Sequence, residues 1–475
     1  MSILSKLASN DADAIAVVAG NQEITFGELL ADVGRAAAYL RAQGLGRGSR
    51  IGIAFGGASS PDYYASWIAH LAAIRIGATH ASLSDAKALD HLLEAGPIDA
   101  LLGGLPPSAE VADLPLVEFN LEAMPATNPP PDDEAEALRL NFSSGSSGAA
   151  KLVRWDAAMM VARIQQVGDL GLIDHRTRLL SLLSPRTTAG FRYPLATWLA
   201  GGTVLLSRAP EQRGAALANC TLLICSPFQL QRIKGVRLPN LQERTVVVLG
   251  GRIATGLRDW ALTNITARLL ISYGSTETGN VALGDASIAD RHPGAVGWVR
   301  EGVEVAIVDD DGEPVQAGKT GRVRVRTPVL ALPDGAEGFA DGWYEPGDCG
   351  ILFEDGVLAI VQRVSDMLNI GGVKLSAAVV ETKLTMLDSI DDAAVAAVGS
   401  RQSDALAIIA VAATGATAKE VTASIQPLLP RGMPFVLLLS RSIPRNAMGK
   451  IDRPALDRAI RELRPGNSTR EAEHA

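Results

Sequence analysis

Apolar positions in the first third of the chain alternate between helical and strand periods. Residues 25–28 read Thr-Phe-Gly-Glu. This is a capping box, with the Thr25 hydroxyl accepting from the Glu28 amide and the Glu28 side chain reaching back. A helix is expected to follow to about Gln43. Residues 50–55 are an apolar run of strand length, 61–76 an apolar helix broken by Gly77, and 79–83 another strand. Such strand–helix–strand spacing predicts a doubly wound α/β sheet. Gly44, Gly46 and Gly48 have the spacing of a dinucleotide fingerprint. They follow a helix and open a strand, the reverse of the fingerprint's context, so they read as a turn.

The pattern then changes twice. Residues 128–134 are Asn-Pro-Pro-Pro-Asp-Asp-Glu, expected as a stiff surface connection separating the first α/β unit from a second. Between 296 and 362, Asp311-Gly312 and Asp355-Gly356 lie among β-prone runs such as 303–308 and 321–325. These hairpin signals predict a small antiparallel layer. After Arg363 a mixed helix and strand pattern continues for about a hundred residues, enough for a second small domain. The tail from Pro465 is polar and charged and reads as disordered.

Composition narrows the function. At 475 residues the chain exceeds one ordinary core, so two domains are expected. Hydrophobic residues make up 47% and charged residues 20%, as in soluble globular proteins. Lys+Arg total 44 against Asp+Glu 52, a formal charge of -8, which argues against nucleic acid as partner. The first residues lack the blocks of a secretory signal, and no apolar run has membrane-spanning length. Cys220, Cys225 and Cys349 fit no zinc or redox spacing and read as core residues in a reducing, cytoplasmic setting.

Five segments carry candidate chemistry. The first is Leu140-Asn141-Phe142-Ser143-Ser144-Gly145-Ser146-Ser147-Gly148-Ala149-Ala150-Lys151. An apolar strand enters a loop whose glycines let backbone approach an anion, while hydroxyls donate and Lys151 adds a point charge. Its spacing is not that of the common P-loop. The second, Ser272-Tyr273-Gly274-Ser275-Thr276-Glu277-Thr278-Gly279, follows an apolar strand, where α/β sheets place ligands. The third, Trp343 to Asp348, puts a carboxylate on a tight turn. The fourth runs from Gln362-Arg363 through Ser365-Asp366 to Gly371-Gly372-Val373-Lys374, and the fifth is Pro444-Arg445-Asn446-Ala447-Met448-Gly449-Lys450. Each is weak alone, since a single charged residue in a turn is usually solvated.

In this order, the five segments resemble the core motifs of the adenylate-forming superfamily of acyl- and aryl-CoA ligases, nonribosomal adenylation domains and luciferases. The resemblance spans about Ala14 to Leu456. The family's loop is typically Thr-Ser-Gly-Thr-Thr-Gly-x-Pro-Lys-Gly. Here serines keep the hydroxyls, while Ala150 replaces the proline and Leu152 the last glycine.

The resemblance implies an α/β fold with a large N-terminal domain of doubly wound sheets plus a small antiparallel β layer. That core would span 1–364, and a small mobile α+β C-terminal domain, carrying the catalytic lysine, would span 365–475. It implies activation of a carboxylic acid with Mg-ATP through an acyl-adenylate. The acyl group then passes to a thiol of coenzyme A or of a carrier protein's phosphopantetheine. Lys450 is the implied catalytic cation, with Thr276 at the α-phosphate and Glu277 as Mg²⁺ ligand. Ser143, Ser144, Gly145, Ser146, Ser147, Gly148 and Lys151 would hold the outer phosphates. Tyr273, with Ser272 and Gly274, would flank adenine, as would the Gly250-Gly251-Arg252 turn. Asp348, with Arg363 nearby, would accept from the ribose. Ser365 stands where the family's hinge residue is usually Asp or Lys, and Gln362 replaces a glycine.

Thr188, Phe191, Val248, Gly250 and Gly274 would line an acyl pocket that is mostly small or apolar, which suits an aromatic or medium aliphatic acid, and Arg192 would also lie at this pocket. Arg192 itself reads as a solvated or ion-paired arginine, with a polar substrate group as the alternative partner. His70, His80 and His91 read as structural. Two other functions stay open: an amino-acid-adenylating or amide-forming synthetase, and a non-catalytic nucleotide-binding relative. A separate acyl carrier protein is a possible partner.

Overall fold

In the computed structural model the described residues are 2–55, 63–83, 86–104, 114–125, 128–144, 150–206, 210–333, 341–363, 366–370, 373–400, 403–430, 432–446 and 449–463. The capping box at Thr25 forms as expected, with Glu28 N donating to Thr25 Oγ1 at 3.2 Å and Thr25 N to Glu28 Oε2 at 2.8 Å. The helix Phe26–Ala42 follows it. Gly44 and Gly48 take the left-handed backbone of the turn (φ 82° and 77°) that leads into the strand Arg50–Ile53.

Among the described residues two large sheets build the core. In one, the strands Leu116–Val117, Ala100–Leu102, Arg50–Ile53, Thr79–Ser82 and Leu138–Ser144 lie parallel in that spatial order. The strand Ala150–Asp156 closes its edge antiparallel. In the other, a parallel block contains Ile15–Ala19, Thr203–Leu206, Arg178–Ser181, Leu222–Cys225, Thr245–Leu249 and Arg268–Ser275. It continues antiparallel through Gly279–Asp285 out to Glu304–Val308. One hydrophobic cluster, including Trp67, Trp155, Phe191 and Trp198, joins the two sheets.

Several expectations need correction here. Residues 128–134 do not separate two α/β units, because Leu138–Ser144 pairs with Thr79–Ser82 and completes the first sheet. Nor is Glu134 solvated. It is buried and accepts from the amides of Ile3 (2.5 Å) and Leu4 (3.0 Å), holding the start of the chain's first helix. Asp133 beside it pairs with Arg41 and Arg47. The antiparallel layer after 296 exists, but it extends the second sheet rather than standing apart. Cys220 and Cys225 are core residues, whereas Cys349 is only half-buried.

Beyond residue 366 the chain builds its own cores. A hairpin of Met367–Ile370 with Val373–Ser376 and a three-stranded sheet pack with the helices Ala377–Leu384, Ala418–Ile425 and Arg453–Leu463. The two clusters they bury contain no residue from before 368. Residues 364 and 365, where the sequence boundary was set, and the tail from 464 lie outside the described residues.

Candidate functional site

Parallel pairing gathers the candidate segments at one edge. Cys225 pairs with Val248, and Leu249 with Ser272, so the strands release Ser226, the Gly250 turn and the Tyr273 segment side by side. Gly250 makes its turn with φ 86°. Gly251 and Arg252 are exposed, as expected of a turn that presents backbone.

No helix follows Tyr273. The chain instead reverses through 276–278 into the strand Gly279–Asp285. Ser275 Oγ accepts from the amides of Glu277 and Thr278, each at 3.2 Å. Gly274 pairs with Asn280, so a Cβ at Gly274 would lie 1.9 Å from the Gly279 carbonyl oxygen. Only glycine fits there.

Beneath this turn lies Arg163, fully buried, whose guanidinium donates to the carbonyls of Thr276 (3.0 Å) and Glu277 (2.5 Å). Sequence reading missed it. The signal was available: Met160, Arg163, Ile164 and Val167 share the buried face of one helix. An arginine on an apolar stripe has to find acceptors inside the fold.

The phosphate-loop candidate closes a β-hairpin rather than opening a helix, with Ser143 opposite Lys151 and Ser144 opposite Ala150. Gly145, Ser146, Ser147 and Gly148 lie outside the described residues, as do the side chains of Ser143 and Ser144. Lys151 is exposed. Val153 on the second strand bridges to Pro333, and Ala331 N donates to the Glu277 carbonyl at 2.9 Å. The hairpin is thereby tied to the Glu277 turn.

Charged groups converge above Tyr273. Its hydroxyl donates to Asp348 Oδ2 at 2.7 Å, and Arg363 Nε lies 3.3 Å from Asp348 Oδ1. Burial pushes the Tyr273 phenol up, and the Asp348 carboxylate reinforces the shift. Burial likewise raises Tyr344, with Glu277 second.

Lys450 reaches this group from the C-terminal part. Its amide donates to Asn446 Oδ1 at 3.1 Å. The same loop packs on the Phe228 ring, which lies 4.4 Å from the Arg445 guanidinium carbon and would meet a Cβ on Gly449 at 2.7 Å. The half-buried Lys450 ammonium is pushed down to about 8, chiefly by burial and then by Arg363. Asp348, Asp366 and Glu277 pull it the other way. The structure thus brings Glu277, Asp348, Arg363 and Lys450 together. It adds Tyr344 and Asp366, which lie within the motifs but have no role implied by them.

The acyl-side candidates divide. Thr188 is half-buried at the start of the helix Thr188–Leu199, capped by Thr187 Oγ1 accepting from Gly190 N at 3.0 Å. Phe191 is fully buried, stacked on Trp67 (centroids 5.7 Å apart) with the Arg139 guanidinium carbon 3.6 Å above its ring. Val248 is fully buried in a second hydrophobic cluster. Arg192 is not solvated but buried, and among the described residues its guanidinium meets neutral acceptors and no carboxylate. His70 and His80 are buried and held neutral by burial, with His70 Nε2 2.8 Å from Ser82 Oγ. His91 lies 3.1 Å from Glu94. Ser365 and Gly372 lie outside the described residues.

Among the described residues no three His, Cys, Asp or Glu side chains assemble into a cation site. Glu277 is a buried carboxylate within reach of the Arg163 and Lys450 cations. That suits Mg²⁺ borne by a nucleotide, which takes one or two protein carboxylates and keeps its other ligands from phosphate and water.

Comparison with known proteins agrees with this geometry. A family model described as AMP-binding enzyme matches residues 4–332. The probable non-canonical nonribosomal peptide synthetase CymA of Salinispora arenicola is 28% identical over 92% of this chain, which spans only 6% of CymA's length. The fatty acid–[acyl-carrier-protein] ligase ScoC of Streptomyces coeruleorubidus is 26% identical over 98% of this chain and 96% of its own. The fold matches o-succinylbenzoate CoA synthetase from Bacillus subtilis, solved with its acyl-adenylate intermediate. The TM-score is 0.80 at 20% identity, covering 100% of this chain and 99% of that one.

Proposed function

The chain belongs to the AMP-binding enzyme family, and from that premise we propose that it activates a carboxylic acid with ATP as an acyl-adenylate and passes the acyl group to a thiol. One observation carries the reading: Lys450, from the C-terminal part, comes within electrostatic reach of the Asp348–Arg363 pair and of Glu277, beside the C-terminal edge of the parallel strands. That edge is where α/β sheets bind ligands.

Each residue has a physical task. Asp348, fixed by Tyr273 and Arg363, offers an acceptor to the ribose hydroxyls. Tyr273 supplies a flat apolar face for the base, and Gly250–Gly251 bare backbone beside it. The hairpin loop from Ser143 to Lys151 donates hydroxyls, amides and one cation to the outer phosphates. Thr276 and Lys450 face the α-phosphate, where negative charge grows as the acid's oxygen attacks and pyrophosphate leaves. A preorganised cation there lowers the barrier without moving when charge develops. Glu277 would hold Mg²⁺ carried on the phosphates, which would supply further charge neutralisation. Arg163 holds the Thr276–Glu277 backbone and thereby aims both side chains.

The part after Ser365 acts as a mobile domain that withdraws Lys450 after adenylation and admits the thiol. Support comes from its separate buried clusters. The acceptor is coenzyme A or a carrier-protein phosphopantetheine, in line with ScoC's name. Incubation with ATP, an activating acid and each acceptor tests this by mass spectrometry. A thioester on either one supports the handover, while acyl-adenylate that accumulates and only hydrolyses in the presence of both refutes it.

A further inference from the structure

Arg192 is an unusual group to bury. It is 3% exposed and sits in the first turns of the helix Thr188–Leu199. Its guanidinium makes three long contacts to uncharged oxygens: the Thr188 carbonyl (3.3 Å), Gln166 Oε1 (3.4 Å) and Asn280 Oδ1 (3.2 Å). Buried charges in folded proteins are normally matched by an opposite charge. Another cation, Arg163, lies within electrostatic reach of it. Glu277 acts on Arg163 and spends its backbone carbonyl there, leaving Arg192 without a described counter-ion.

A further donor shares the deficit. The buried Tyr193 hydroxyl faces the Asn280 Nδ2 amide, which is placed to donate to it, and the hydroxyl's own proton has no acceptor among the described residues. Arg192 and Arg300 also act on the Tyr193 hydroxyl. Asn280 is the cross-strand partner of Gly274, so this group lies directly beside the Tyr273–Glu277 turn.

Resting on the adenylation reading above, we propose that Arg192, with the Tyr193 hydroxyl and the Asn280 amide, receives a second anionic group on the acid substrate. The substrate class is then a dicarboxylic acid, or another acid bearing an anion distal to the carboxylate that is activated. A carboxylate supplies what the cluster lacks: one negative charge and about four lone-pair sites for convergent donors. A site built around such donors rejects an isostere that lacks the acceptor, because the donors are then left unpaired.

The test is ATP–pyrophosphate exchange with matched acid pairs: butyrate and succinate, hexanoate and adipate, p-toluate and terephthalate. The wild-type enzyme should favour the diacid of at least one pair by about 10²-fold or more in kcat/KM. Arg192→Met should lower kcat/KM for the diacid far more than for its monoacid partner, so that the preference collapses, and Arg192→Lys should restore part of it. In the absence of acid, Arg192→Met should unfold at the same or a higher temperature, since it removes an unmatched buried charge. A preference for every monoacid, or an equal loss on both members of each pair, overturns the inference while leaving adenylation intact. Exchange with no acid at all overturns both.

Discussion

Asp366→Asn removes one of three carboxylates acting on the Lys450 ammonium and keeps the side chain's size. Lys450 stands at about 8 because burial and Arg363 disfavour its charge, while Asp348, Asp366 and Glu277 favour it. Both Asp366 and Lys450 are half-buried, so their attraction is screened. Ion pairs open to solvent are worth up to about 1 kcal/mol, or about 0.7 pH unit. The sign is fixed: losing an anion favours the neutral amine, so Lys450 titrates lower. A cationic role requires the protonated form, which is lost as pH rises through the folded pKa. The assay is the pH profile of kcat/KM for ATP in pyrophosphate exchange, which reports groups of the free enzyme. The wild-type rate should decline above about pH 8. In Asp366→Asn the alkaline limb should move down by up to about 0.7 unit, and in Arg363→Met it should move up. Stability runs the opposite way. Lys450 binds more protons unfolded between about 8 and 10.5, so its contribution to folding improves as pH rises through that window. Lost activity there cannot be unfolding caused by Lys450. An alkaline limb that stays put in Asp366→Asn, or rises, would refute the electrostatic account of Lys450.

Two other perturbations follow from the geometry. Tyr273→Phe removes the donor to Asp348. Chemical denaturation should show a loss of about 1.5–3 kcal/mol, and KM for ATP should rise with kcat little changed. Gly274→Ala drives a methyl to 1.9 Å from the Gly279 carbonyl oxygen, so exchange should be abolished or the chain fail to express in soluble form. Gly256→Ala, whose Cβ would meet nothing within 4 Å, should behave as wild type in the same assays.

Local chemistry made much of the fold legible in the sequence. The Thr25 capping box, the Gly44–Gly48 turn and the first strand–helix–strand units were read from spacing alone, because short-range hydrogen bonds and backbone strain decide them. Glu134 was misread because its partners, the amides of Ile3 and Leu4, lie about 130 residues away. No local pattern announces a long-range cap. The Asp311 and Asp355 turns were visible, but whether their strands stand apart or extend a larger sheet depends on pairing partners that a turn does not specify.

The site divides along the same line. Motif order led to Lys450, Glu277 and Asp348, and the geometry brings them together. Arg163 and Arg192 went unrecognised as buried because an arginine is ordinarily solvated. Only its position on a helix's apolar face, with no acid nearby, marks the exception. Tyr344 and Asp366 act through space on residues distant in the chain, which spacing cannot show.

The central claim is that Lys450 serves as the cation for attack of a carboxylic acid on ATP. Acid-dependent ATP–pyrophosphate exchange, in the wild type and in Lys450→Ala, tests it most directly. The account predicts exchange that requires an added acid and falls by at least roughly 10²–10³ in the variant, the scale of one lost oxyanion donor. Exchange that proceeds without any acid, or that survives at near-normal rate in Lys450→Ala, would contradict it.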